Sequence, residues 1–318
     1  MSKSDAWHQR ALRALRAYRV ETAIILFGLA CVNGIFLSKA FRQSSSVDPE
    51  SAGQFGAFVG GYVGTIFLLI SVVLLYSTLK NQRIFSAQQN FENKYFELIK
   101  MHRDNVAEIE IRGTCGRRVF VLLLRELRCA LEIVRTIAHD FGQKLSPRDL
   151  LQVAYYCLFY GVGPNSSRML KLSLFNFDRA FVDAVETRLN TPEVKEKARV
   201  ERNLRYVPFE GHQSRLGHYY RHLYQMVRFV DDQRLEINKY EYVKTIRAQL
   251  STHEQALLLI NSLTPIGSNW WKKGLILNYR LVQNIPREFF DPSTELDTGS
   301  LFPQAYFEWE EAQRVDSD

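Results

Sequence analysis

Two long apolar stretches near the N-terminus restrict what this chain can become more than any other feature. The first runs from Val20 to Leu37, and the second, from Phe55 to Leu79, contains no charged residue. A bilayer core about 30 Å thick takes about 20 helical residues to cross. Backbone amides inside hydrocarbon must find partners within their own segment, so both stretches are expected to be helices. The second meets the length requirement easily. The first is marginal, with Glu21 at its start and Asn33 inside it. The expected architecture is all-α: a transmembrane hairpin over residues 20–79, with spans at about 20–40 and 55–79, followed by a cytoplasmic helical domain over 80–290.

The flanks give an orientation. Lys3, Arg10, Arg13, Arg16 and Arg19 precede the first span, and Lys80 and Arg83 follow the second. In the connecting loop, Lys39 and Arg42 are balanced by Asp48 and Glu50. The excess of cations outside the hairpin loop places both termini in the cytoplasm. Residues 1–19 also read as a basic amphipathic segment, with Trp7, Leu12, Leu15 and Tyr18 among the arginines, suited to an anionic headgroup layer. A plain positive flank accounts for the same arginines.

Net charge is +7 and unevenly spread. Residues 291–318 carry eight acids against Arg314 and read as an acidic C-terminal tail. Much of the positive excess therefore falls in the middle of the chain, where it suits anionic lipid, nucleic acid or an ordinary solvated surface. Cys31, Cys115, Cys129 and Cys157 have the spacing of neither a zinc site nor a disulfide framework, which fits a reducing compartment.

Within the second span, Gly56, Gly60 and Gly64 recur every four residues with Gly61 beside them, and Ala30 and Gly34 repeat the spacing in the first. Such a stripe lets another helix backbone approach closely. It serves packing within the hairpin or assembly of several copies into a homo-oligomer. Asn33 is a candidate polar contact between helices. Beyond the span the pattern stays helical to about Ile111, with Ile84, Phe91, Tyr95, Ile99 and His102 at spacings of three, four and seven. This predicts a stalk helix continuous with the second span. Helices are expected over 116–139, from Ser146-Pro147-Arg148-Asp149, from Pro164 towards Asn190, from Thr191, over 211–230 and 235–250, from the capping sequence Ser251–Glu254, and over 270–282.

The sequence lacks a Gly-rich phosphate loop, a zinc-protease helix and a nucleophile elbow. Its densest polar cluster is Gly211–Gln225. On a helix, Arg215, His218 and His222 share one face, with Arg221 beside them. The expected role is contact with a partner or a structural one. His218 and His222 also have the i, i+4 spacing of a metal pair, but no third ligand is evident, and no metal or cofactor is expected. Arg215 and His222 match the loose Arg-x(4–6)-His spacing of the HEPN ribonucleases, which leaves a membrane-tethered ribonuclease as the alternative to a non-enzymatic protein.

Several stretches in order carry a family resemblance: Phe91–His102 after the apolar spans, Gly116–Phe120, His218–Asp231 and Tyr242–Asn261. Together they resemble the AbiC-like phage abortive infection proteins of bacteria, over roughly residues 79–263 and the hairpin. The resemblance implies an effector that damages or permeabilises the bacterial inner membrane once phage is sensed. Some two-span proteins of this kind are effectors of retron systems. Such a setting implies a reverse transcriptase with its bound RNA–DNA product as inhibitory partner, alongside the lipid bilayer. The resemblance brings no catalytic residues with it.

Overall fold

Helix α1, Pro49–Phe58, begins where Asp48 accepts the Glu50 and Ser51 amides (both 3.3 Å) and Pro49 takes the first turn. The computed structural model describes residues 27–28, 30, 33–34, 42–43, 46–163 and 166–309. Residues 1–26, with the basic amphipathic segment, lie outside them. Of the first apolar stretch only 27–28, 30 and 33–34 are described, all helical. The chain divides into two units, Met1–Ala87 and Gln88–Asp318.

In the first unit a short antiparallel pair, β1 (Arg42–Gln43) and β2 (Ser46–Val47), precedes α1. From α1 the chain runs through a π-helical turn, Val59–Val63, into α2, Gly64–Glu108. The Gly64 amide bonds to the Val59 carbonyl five residues back, the spacing of a widened turn. Gly60 and Gly61 sit inside that turn, where the absence of a side chain makes the wider backbone easy to adopt.

The whole run Pro49–Glu108 holds one stretch long and apolar enough to cross a membrane. Ile66, Phe67, Leu68, Leu69, Val72 and Leu75 are among its exposed side chains. A run this apolar is poorly suited to water and well suited to lipid. Residues 55–79 rise about 37 Å at 1.5 Å per residue. Thr65, Ser71 and Thr78 each turn the hydroxyl back to a carbonyl four residues earlier, those of Gly61, Phe67 and Leu74. That removes the need for an outside partner.

In the second unit the same helix becomes a core element. Phe91, Tyr95, Ile99, His102 and Val106 are its buried positions. Phe91 stacks on Phe229 (5.3 Å between centroids), and the Tyr95 hydroxyl donates to the Tyr242 carbonyl (2.8 Å). A tight hairpin follows, pairing β3 (Glu110–Ile111) with β4 (Thr114–Cys115) through Arg112 and Gly113, at φ 47° and 78°.

The centre of this unit is α3 (Arg118–Asp140), packed against α4 (Pro147–Tyr160), α6 (Arg179–Asn190) and α10 (Thr252–Leu263). Between and beyond them lie α5 (Ser167–Ser173), α7 (Pro192–Glu201), α8 (Gln213–Asp231) and α9 (Lys239–Arg247). The expected capping boxes form at Ser146/Asp149 and Ser251/Glu254.

Three expectations need correction. The helix expected from Pro164 to Asn190 is two, α5 and α6, with residues 174–178 between them. The helix expected over 270–282 is two single turns, α11 (Asn269–Lys272) and α12 (Leu275–Asn278), separated by Gly274 in the left-handed region at φ 68°. The stretch expected as an acidic tail is, over 291–309, folded onto the domain. Leu296, Phe302, Tyr306 and Phe307 are buried there, and Arg128 holds Glu295 at 2.5 Å and the Phe289 carbonyl at 2.7 Å. Aromatic residues set among the acids supply that core contact. Residues 310–318 lie outside the described residues.

Candidate functional site

The polar cluster singled out in the sequence sits on α8, and its position is set by what precedes it. Gly211 has φ 90° and passes so close to α4 that a Cβ there would lie 2.4 Å from the Tyr160 carbonyl oxygen. Gly161, at φ 85°, would meet the Glu210 backbone at 2.6 Å. Only glycine fits either side of this crossing. The His212 amide then bonds to the Phe159 carbonyl (2.9 Å), and the Val162 amide to the Phe209 carbonyl (2.9 Å).

Next to the crossing lies a buried network. Glu126 of α3 accepts from the Tyr206 hydroxyl (2.6 Å), the Phe209 amide (2.7 Å) and His212 Nε2 (2.9 Å). Glu126 and His212 are both buried. Burial and the adjacent carboxylate push the Tyr206 phenol well above its ordinary range. Three donors around one carboxylate fasten α3 to the segment that opens α8.

The four candidate residues on α8 do not converge on one point. Arg215 Nε donates to the Glu110 carbonyl (2.9 Å), beside a cavity of about 250 Å³ that His218 also lines. His218 is exposed. Arg221 is exposed, on a different cavity of about 260 Å³ with Tyr224 and Trp270. His222 Nε2 is 3.1 Å from the Leu98 carbonyl, which can only accept, so the ring carries its proton on Nε2.

The sequence reading missed what His222 faces. Its ring stacks on His102 at 6.0 Å between centroids, with planes 11° apart. His102 is buried, and neither ring nitrogen has a hydrogen-bond partner among the described residues. Burial, then the neighbouring His222 and Arg117 charges, pull its pKa down to about 4. His102 also lines a cavity of about 910 Å³. Glu126 and His212 were missed as well. Their sequence signal is a carboxylate placed within an apolar stripe, with Val119, Leu123 and Ala130 at helical spacing.

Among the membrane-packing candidates, a Cβ built at Gly56, Gly60 or Gly34 meets nothing within 4 Å among the described residues. At Gly64 it meets only the helix's own Val59 carbonyl, at 3.5 Å. At Gly28 it would lie 3.5 Å from the Phe67 ring. Asn33 is helical and exposed.

No curated protein and no solved structure matches this chain. Residues 211–290, from the glycine crossing through α8, α9, α10 and the two short helices, match the family model described as "Putative phage abortive infection protein". Over that segment the chain is similar to the phage abortive infection family, in line with the resemblance read from the sequence, and a family of that description suggests a role in defence.

Proposed function

We propose that this protein is a non-enzymatic membrane effector of anti-phage defence, embedded in the bacterial inner membrane by a two-helix hairpin with both termini in the cytoplasm. On triggering it disrupts or permeabilises that membrane. The observation that carries this reading is α2. Its early residues are exposed and mostly apolar, and later, from Phe91, one face of it is core of the helical domain. The family match supplies the defence context.

The glycine stripe at the π turn supports assembly through close helix approach, since Gly56 and Gly60 leave open space beside the backbone. In this reading the partners are lipid, further copies of the chain and, if it belongs to a retron, a reverse transcriptase with its RNA–DNA product holding the effector inactive. Arg215, His218, Arg221 and His222 then serve packing and partner contact.

The test follows membrane potential and total RNA in the same triggered culture. Depolarisation is expected first, and RNA decay preceding it would favour the ribonuclease. In parallel, Gly60→Ile should remove about 1–2 kcal/mol per disrupted helix contact and reduce growth arrest while the protein remains inserted. Unchanged arrest and unchanged crosslinking would show that this face does not assemble.

A further inference from the structure

The cavity of about 910 Å³ lies wholly within the second unit. It is walled by the end of α2, the β3–β4 hairpin, the first two turns of α3 and the loop after α7. Arg103, Arg117, Arg118, Arg125 and Arg205 all line it, and no aspartate or glutamate does. Elsewhere in the unit four arginines are matched to acids, Arg128 with Glu295, Arg199 with Glu196, Arg202 with Glu132 and Arg228 with Asp232, while others stand singly on the surface. In the cavity only Arg117 has such a partner, Glu254 at 3.6 Å. Among the described residues, the side chains of Arg103, Arg118, Arg125 and Arg205 make no ion pair or hydrogen bond. Gathering like charges around one concavity is unfavourable unless an anion relieves it.

A second observation is independent of the charge. His102 is 1% exposed and lines this cavity, and neither ring nitrogen has a hydrogen-bond partner among the described residues. The nitrogens themselves are covered, so a ligand makes the hydrogen bonds they lack by drawing the ring towards the cavity. A neutral imidazole offers one donor and one acceptor, which suits a hydroxyl or a base edge. Asn203, Gln249 and Thr114 add amide and hydroxyl groups to the lining, and Val106 and Val121 add an apolar wall. The volume is in the range of small-molecule sites, about 300–1,000 Å³.

We infer that this arginine-rich cavity is a binding site for a nucleoside polyphosphate, with the arginines on the phosphates and His102 with the amide side chains on the nucleoside. The arginines surround one concavity instead of following a track across the surface, which favours a compact ligand over a nucleic acid strand. The assignment stands on the cavity and does not depend on the membrane reading. If both hold, the ligand touches His102 and Arg103 on α2, the helix whose earlier residues form the apolar stretch.

The test uses the full-length protein in detergent at physiological salt, with ATP, GTP, inorganic tripolyphosphate and a 12-nucleotide single-stranded DNA as probes. Binding is read by calorimetry and by protection of Cys115, an exposed thiol on the cavity wall, from alkylation. At least one nucleotide should bind at a single site and shield Cys115. Arg118→Glu with Arg125→Glu should weaken that binding by about tenfold or more, since two charge-assisted contacts become repulsive. Both side chains are exposed, so the melting temperature should hold. His102→Phe should weaken the nucleotide but not tripolyphosphate, a split that a packing defect would not produce. The inference is overturned if neither nucleotide binds, if the double variant binds as well as the parent, or if the DNA or tripolyphosphate binds as tightly as the nucleotides.

Discussion

His212 Nε2 lies 2.9 Å from Glu126 Oε2, a buried contact between residues 86 positions apart that ties the opening of α8 to the central helix. The same carboxylate holds the Tyr206 hydroxyl and the Phe209 amide. Glu126→Ala leaves three buried donors unpartnered. A loss on the order of 2–4 kcal/mol is expected, since a buried donor left without its partner costs about 1–3 kcal/mol. Denaturant unfolding of the purified protein measures it. A loss below about 1 kcal/mol would mean that water takes over the carboxylate's role and that the network is dispensable.

The Gly161–Gly211 crossing predicts a contrast between two alanine substitutions on the same segment. Gly211→Ala puts a methyl group 2.4 Å from a backbone carbonyl at φ 90°, where neither partner can yield cheaply. It should cost on the order of 3 kcal/mol or lower the yield of folded protein. Gly217→Ala, six residues on inside α8, meets only the Phe159 ring at an ordinary 3.8 Å. It should stabilise by about 0.5–1 kcal/mol through helix propensity. Equal melting temperatures for the two variants would mean that the crossing is not as tight as the structure has it.

How much of this was legible beforehand depended on sequence distance. The caps at Ser146/Asp149 and Ser251/Glu254 each span four residues and were readable directly. So was the passage of α2 from apolar stretch to stalk, because one helical period runs through both. The Arg/His face of α8 was readable as a face, but not what it meets. His102 and His222 are 120 positions apart, and nothing local to either announces the stacking. The cavity arginines are scattered from Arg103 to Arg205, so only the fold gathers them. The break at Gly274 was obscured by the apolar and aromatic residues on both sides of it, which continue a helical pattern that the backbone does not follow.

His102 gives the protein an acid-sensitive stability. Its pKa falls from an ordinary 6.5 to about 4 because burial disfavours the charged ring. Between those values the unfolded chain binds the proton and the folded chain does not. Stability is therefore full above pH 6.5 and declines as pH falls towards 4. From pH 7.5 to 5.0 the contribution lost is about 2 kcal/mol. Carboxylates elsewhere add their own slope, so the measurement is the difference between the parent and His102→Phe across that range. The variant should be flatter by that amount, and parallel profiles would show that His102 is solvated or partnered in solution.

His222 separates the two functional readings. In a ribonuclease its imidazole would move a proton, and such a group typically contributes about 100-fold or more. In the structure its Nε2 proton is committed to the Leu98 carbonyl at 3.1 Å, while Arg215, two turns earlier, is committed to the Glu110 carbonyl at 2.9 Å. Each group fastens α8 to a different point on the chain around α2. His222→Gln retains an amide donor for Leu98 but cannot shuttle a proton near neutral pH. The variant should lose about 1 kcal/mol of stability at most and still arrest growth when triggered. Arg215→Glu reverses charge beside the Glu110 carbonyl and should loosen that end of α8, with a larger effect on stability than His222→Gln. Growth arrest is measured after triggering, with protein levels checked by blot. A well-expressed His222→Gln protein that has lost all toxicity, with its melting temperature intact, would turn the assignment to proton transfer and therefore to the ribonuclease.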